Sequence, residues 1–379
     1  MSTIVLSNLH KRFGDFTAVR NTNLTVSTGR FVVLLGPSGC GKTTTLRMIA
    51  GLELPTSGRI HIDGEDVTAL RARQRDIAFV FQMFALYPHM SVRNNIAFPL
   101  KNEGISRREI AARVESAARM LRIETMLDRK TGGLSGGDRQ RVALGRAIVR
   151  HPKAFLMDEP LGTLDADFRE LMCLELRKLH NALHATTVYV THDQSEAMAM
   201  ADDVVVMNQG EVLQSASPHE IYHFPATVFV GNFIGSPPMN FLPVDGGVEA
   251  GAEQVSLHGA PVPVPRIEAA ATKALLGIRP EHILIDERGA LRGRVIADEY
   301  LGSHQILVVD TPLGVVRVRV GKDEGRAAGS QVGLSFRIER TLLYDAGSGK
   351  LLPGAARLMA VNGNGNGNCH GNGRGGAYV

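Results

Sequence analysis

The stretch Gly36-Pro37-Ser38-Gly39-Cys40-Gly41-Lys42-Thr43 decides the fold. It matches G-x-x-x-x-G-K-[ST], follows the apolar run Phe31–Leu35 and opens a helical pattern from Thr44 to Ala50, the strand, loop and helix that a phosphate-cradling loop requires. Its glycines allow a tight turn whose successive N–H groups point inward at phosphate oxygens, and the helix N-terminus adds a favourable field. Lys42 is placed to neutralise β and γ phosphates, and the Thr43 hydroxyl to ligate Mg²⁺. Ser38, Gly39, Cys40, Gly41 and Thr44 complete the expected cradle.

A second run, Ala154-Phe155-Leu156-Met157-Asp158-Glu159, is an apolar strand ending in two carboxylates. A parallel sheet delivers such an end beside the loop, at the carboxyl edge of the strands. Asp158 is then expected to help hold Mg²⁺, and Glu159 to orient or deprotonate the attacking water. An acidic pair after a strand is more often a cap or a solvated turn, and here the phosphate loop decides between the readings.

Around these motifs, residues 1–235 alternate short β-rich runs with helical stretches, which predicts a layered α/β domain. Phe31–Leu35, Ala154–Met157, Thr187–Val190 and Val204–Met207 read as buried strands of a mainly parallel sheet. Ser106–Leu121, Gly136–Val149 and Asp165–Leu183 carry apolar residues at helical spacing. Ile4–Phe13 and Arg59–Ile62 alternate instead, and Asp63-Gly64 is a hairpin signal, so a small antiparallel subdomain is expected there. Near Ser236-Pro237-Pro238 the texture changes, and 236–356 reads as short strands of a small barrel or sandwich. The Asn/Gly-rich end, within 357–379, is expected to be a disordered tail, in which Cys369 and His370 are too few donors for a metal site.

Bulk properties set limits. The 379 residues are 44% hydrophobic and 21% charged, ordinary globular values, and the net charge of +4 is spread along the chain and implies no nucleic-acid partner. No run approaches the ~20 apolar residues of a membrane-spanning helix, and the first residues carry no signal-peptide pattern. Three scattered cysteines, Cys40, Cys173 and Cys369, fit reduced thiols and no disulfide framework.

Between the two motifs stands Leu134-Ser135-Gly136-Gly137, followed by Asp138-Arg139-Gln140-Arg141-Val142-Ala143-Leu144. Alone, Ser-Gly-Gly is an ordinary helix cap. In the order phosphate loop, Gln82, Leu134–Gly137, Asp158-Glu159, Asp165, His192, the chain resembles the ATP-binding-cassette (ABC) ATPases over nearly its whole length. Gly277-Ile278-Arg279-Pro280-Glu281-His282 and the 233–242 segment look closest to the TOBE-bearing subunits of maltose- and sn-glycerol-3-phosphate-type importers. The resemblance implies a P-loop cassette with a parallel sheet, an antiparallel β subdomain and a helical subdomain, then an OB-like TOBE domain.

It also implies roles. Gln82 resembles the Q-loop residue that senses metal and γ-phosphate, His192 the switch histidine that touches the γ-phosphate, and Phe13 the aromatic that stacks on adenine. Ser135, Gly136 and Gly137 resemble the signature that completes the ATP site of an opposite subunit, so a head-to-tail dimer with a second copy is expected. Asp165 resembles the D-loop residue at that interface. Similar importers usually carry Ser-Asn where Gly162-Thr163 stand and often Gln where Asp138 stands, departures that bear on dimer communication. Phe84–Met90 looks like the segment that receives two transmembrane permease subunits, which an extracytoplasmic solute-binding protein would serve. The expected place is the cytoplasmic face of the inner membrane, as a peripheral subunit. Polyamine and iron importers share the plan. A translation or repair ATPase is disfavoured by the single cassette and the lack of a coiled-coil insertion, and a regulatory or sequestering role for the TOBE-like region is the remaining rival.

Overall fold

The computed structural model describes residues 2–82, 85–102, 104–150, 152–162 and 164–354. Thr163, Phe84 and the expected tail with Cys369 and His370 lie outside the described residues. The chain forms two compact units that divide at Ile221/Tyr222.

The first unit runs β1 (Ile4–Phe13), β2 (Phe16–Val26), β3 (Phe31–Leu35), α1 (Lys42–Ala50), β4 (Ser57–Ile62), β5 (Glu65–Asp66), β6 (Ile77–Val80), α2 (Val92–Asn102), α3 (Arg107–Leu121) and α4 (Gly136–Ile148). It continues through β7 (Ala154–Asp158), α5 (Ala166–Leu183), β8 (Thr186–Thr191), α6 (Gln194–Met200), β9 (Asp203–Asn208) and β10 (Glu211–Ala216). Six strands form one sheet in the order β10-β9-β3-β8-β7-β6, parallel except for β10 at the edge. All residues of β3, β7 and β8 are buried, which is why these strands read as continuous apolar runs rather than alternating ones.

The register levels three strand ends: Leu35 lies opposite Thr191, and Asp158 opposite Val190. The loops that leave β3, β7 and β8 therefore emerge side by side at the carboxyl edge. A second, antiparallel sheet, β2-β1-β4-β5, aligns Ile4 with both Val26 and Ile62, and the expected turn at Asp63-Gly64 joins β4 to β5. The helices α2, α3 and α4 enclose their own apolar core of Val92, Ile96, Leu100, Val114, Ile123 and Val142. Ser106 caps α3 through the Glu109 N–H at 3.3 Å, and Asp165 caps α5 through the Phe168 N–H at 2.9 Å.

Helix α7 (Pro218–His223) leads out of the first unit, and α8 (Val228–Phe233) begins the structured part of the second. Ten strands follow among the described residues: β11 (Asn240–Pro243), β12 (Gln254–Leu257), β13 (Ala260–Pro263), β14 (Ala274–Ile278), β15 (Ile283–Ile285), β16 (Leu291–Tyr300), β17 (His304–Thr311), β18 (Gly314–Gly321), β19 (Gln331–Phe336) and β20 (Leu342–Asp345). They form sheets β15-β19-β16-β17-β18, β11-β14-β20 and β12-β13 around one apolar core. The Asn240 side chain joins two of these sheets by donating to the Arg317 carbonyl at 2.9 Å and accepting from the Arg317 N–H at 2.8 Å.

This unit starts earlier than the change of texture near residue 236, for a physical reason. Arg279 is only 1% exposed, and its guanidinium donates to the carbonyls of Tyr222, Gly231 and Ile234. The Tyr344 hydroxyl donates to the Pro225 carbonyl at 2.9 Å. Residues 222–235 are thus held by Arg279, which directly follows β14, and by Tyr344 of β20, although their composition resembles what precedes them.

Candidate functional site

The phosphate loop joins β3 to α1 in a conformation only glycine supplies. Gly41 has φ 102°, and a Cβ there would strike the Ala18 carbonyl; a Cβ on Gly36 would strike the Met207 carbonyl. Gly39, φ +79°, meets nothing within 4 Å and faces open space. Lys42 is 5% exposed, and its ammonium donates to the carbonyls of Gly36 at 2.7 Å and Pro37 at 2.9 Å, so the charge lies across the loop. Cys40 is buried beside it, and burial raises the thiol above its ordinary range.

The Thr43 hydroxyl donates to Asp158 Oδ1 at 2.9 Å. Asp158 is 6% exposed, and burial pushes its carboxyl upward despite that hydrogen bond and the nearby Arg47. A costly buried carboxylate beside a hydroxyl is an all-oxygen donor set of the kind a small hard cation takes, so these two residues fit Mg²⁺.

Next to Asp158, Glu159 occupies the left-handed region at φ 44°, held by its N–H on the Val190 carbonyl at 3.1 Å. For a non-glycine residue that conformation costs of order 1–3 kcal/mol. The consequence is positional. One oxygen, Glu159 Oε2, receives the Gln82 amide at 3.3 Å and stands 3.3 Å from His192 Nδ1. Three loops, after β6, β7 and β8, thereby converge on one carboxylate. In this arrangement Gln82 bonds Glu159 rather than the Thr43–Asp158 pair.

Other expected residues stand apart from that cluster. Phe13 ends β1 with its ring 46% exposed and the Lys11 ammonium 4.7 Å from its centroid. Ser135 caps α4: its oxygen accepts from the Asp138 N–H at 3.2 Å, and its hydroxyl donates to Asp138 Oδ2 at 2.8 Å. Gly136 and Gly137 form the first turn, and a Cβ on Gly137 would strike the Phe168 ring at the start of α5.

Several residues were not singled out by the sequence reading. Arg169 donates to the Leu164 carbonyl at 2.8 Å and to Asp193 Oδ2 at 3.2 Å. Glu196, 4% exposed, accepts from the Tyr189 hydroxyl at 2.8 Å, and its carboxyl is raised by burial. A groove of about 280 Å³ is lined by Phe79, Phe81, Tyr87, Phe98 and Arg146, and Arg146 donates to the Ala85 carbonyl at 2.7 Å. No local pattern marks these residues, because their partners sit on other strands, helices or loops.

Residues 19–162 match the ABC transporter family, 235–283 the MalK OB fold domain and 276–343 the TOBE domain. The chain is 52% identical over 301 residues to the sn-glycerol-3-phosphate import ATP-binding protein UgpC of Rhodopseudomonas palustris (strain BisB5), covering 79% of each. It is 45% identical over 372 residues to the trehalose/maltose import ATP-binding protein MalK of Thermococcus litoralis, covering 93% of this chain and all of that one. Among solved structures, the dimeric post-hydrolysis state of the ATP-binding cassette MJ0796 bound to ADP and Pi matches with TM-score 0.52 at 33% identity, over 57% of this chain and 98% of that one. With the phosphate loop and the converging carboxylates in place, and relatives this similar along most of their length, the chain belongs to the ATP-hydrolysing, ATP-binding proteins of ABC transporters, in the branch that carries a MalK-type OB fold and a TOBE domain.

Proposed function

We propose that the chain is the ATP-hydrolysing subunit of an importer, working as a head-to-tail pair of copies on the cytoplasmic face of a membrane beside two permease subunits. The observation that carries this reading is the meeting of Gln82 and His192 on one Glu159 oxygen, next to the Thr43–Asp158 pair. Glu159 orients or deprotonates the attacking water, and His192 faces the γ-phosphate. Lys42 leaves its carbonyl partners for the β and γ phosphates, while loop N–H groups from Ser38 to Thr44 cradle them. Thr43 and Asp158 would hold Mg²⁺, which would supply positive charge against the phosphate oxygens, and Gln82 would report on its presence. Phe13 stacks on the base, and Ser135, Gly136 and Gly137 close the site of the opposite copy.

The groove lined by Phe81, Tyr87, Phe98 and Arg146, where the Arg146 guanidinium lies 5.8 Å from the Tyr87 ring centroid, suits a short helix of a permease subunit. The names of the relatives favour a sugar or glycerol phosphate as cargo; uptake of sn-glycerol 3-phosphate, maltose, polyamine and iron in a deletion strain separates the candidates. We assign residues up to 221 to the cassette and the unit from residue 222 on, which carries the OB- and TOBE-matching strands, to regulation.

The direct test is Glu159→Gln. ATP binding is expected to persist while turnover falls about a hundred- to ten-thousandfold, the range of a lost general base. Ordinary phosphate release from that variant removes the assignment.

A further inference from the structure

We infer that Arg169 is a positioning residue for hydrolysis: its guanidinium ties the turn that follows Glu159 to the loop that carries His192, and so sets how those two side chains meet. The inference rests on the proposed roles of Glu159 and His192, and it assigns a new one to a residue that touches neither.

Arg169 sits one turn into α5. Its Nη2 donates to the Leu164 carbonyl at 2.8 Å. Leu164 closes the turn that begins at Glu159: the Gly162 N–H reaches the Glu159 carbonyl at 3.3 Å, and the Leu164 N–H reaches the Leu161 carbonyl at 3.0 Å. On its other side, Arg169 Nη1 donates to Asp193 Oδ2 at 3.2 Å, and Nε lies 3.6 Å from Glu196 Oε1. Asp193 cannot yield, because its other oxygen caps α6 by accepting from the Ser195 N–H at 2.7 Å and the Glu196 N–H at 3.3 Å. Its own N–H donates to the Thr191 hydroxyl at 3.0 Å, so His192 stands between two pinned neighbours. Glu196 is anchored in turn by the fully buried Tyr189 of β8.

A planar guanidinium holds both sides at a fixed separation, whereas a lysine ammonium is a point charge that cannot reproduce the fork. Without any cation there, the Asp193 and Glu196 carboxylates also lose the charge that offsets their mutual repulsion. Loosening the Glu159–His192 contact by about 1 Å is enough to cost about a hundredfold in rate.

The test is a mutant cycle in the full-length chain, with MgATP turnover as readout and thermal melting as the check of folding. Arg169→Gln is expected to lower kcat about a hundredfold while KM for ATP stays within about threefold, and Arg169→Lys to recover part of the loss. Because Arg169 acts through His192, the double variant Arg169→Gln/His192→Ala is expected to turn over no more slowly than His192→Ala alone. Losses that multiply overturn the inference and leave the site reading intact, as does a rise in KM with kcat unchanged. Wild-type turnover in His192→Ala removes the site reading and the inference together. If Arg169→Gln melts below the assay temperature, Arg169→Lys runs the same cycle.

Discussion

At the scale of single residues, Asp158 shows how a working site is built against stability. Its folded-state carboxyl is raised by burial. A raised acid contributes stability that is complete below the unfolded carboxylate range and is lost as pH rises through the folded value, so at neutral pH the ionised group opposes folding. Asp158→Asn keeps an oxygen that can accept the Thr43 hydroxyl and removes the buried charge. We expect its melting temperature without nucleotide to exceed that of the parent at pH 7, with the gap closing toward pH 4, and its Mg²⁺-dependent turnover to fall. A lower melting temperature at neutral pH would show that the charge is already compensated in the folded chain. Sequence reading reaches Asp158 and Glu159 because both end an apolar strand. It does not reach Arg169, whose partners Asp193 and Glu196 are brought to it by α5 packing against α6 rather than by any spacing along the chain.

Among elements, the close approach of α4 to α5 depends on one missing side chain. Gly137 opens α4 against the ring of Phe168, where a Cβ has no room until the ring moves. Gly137→Ala is therefore expected to cost about 1–3 kcal/mol, the usual penalty of overpacking, measured by denaturant unfolding. Phe168→Ala in the same chain should remove most of that added cost; additive losses would place the strain elsewhere. The same scale shows where the elements were legible. Strands β3, β7, β8 and β9 and helices α3, α4 and α5 fall within a residue or two of their expected ends, because long apolar runs and the caps Ser106 and Asp165 mark them. The pair β12-β13 escaped. Its turn uses His258 at φ 50° and Gly259 at φ 79°, an unusual first residue for a left-handed hairpin turn, and β13 carries prolines at both Pro261 and Pro263.

For the whole molecule, the decisive question is whether one chain holds a complete site. It contains one phosphate loop and one Leu134–Gly137 signature, and the contacts that gather Thr43, Gln82, Asp158, Glu159 and His192 do not include Ser135, whose hydroxyl is engaged by its own Asp138. If the signature serves a nucleotide, that nucleotide belongs to a second copy, and two-fold symmetry makes the two sites equivalent. A clean test must separate this role from the capping role of Ser135, since Ser→Ala at a cap costs about 0.5–2 kcal/mol by itself. Ser135→Asn keeps a good cap and removes the hydroxyl. In a Glu159→Gln background, where ATP is expected to stay bound, the parent chain should sediment as a dimer with MgATP and as a monomer without it. Adding Ser135→Asn should raise the ATP concentration needed for that dimer at least about tenfold, the effect of losing about 1.4 kcal/mol of contact across the interface, with melting unchanged. Dimerisation at the same ATP concentration in both proteins would mean that the signature turn does not face the partner's nucleotide, and that the two copies, if they pair, do so through another surface.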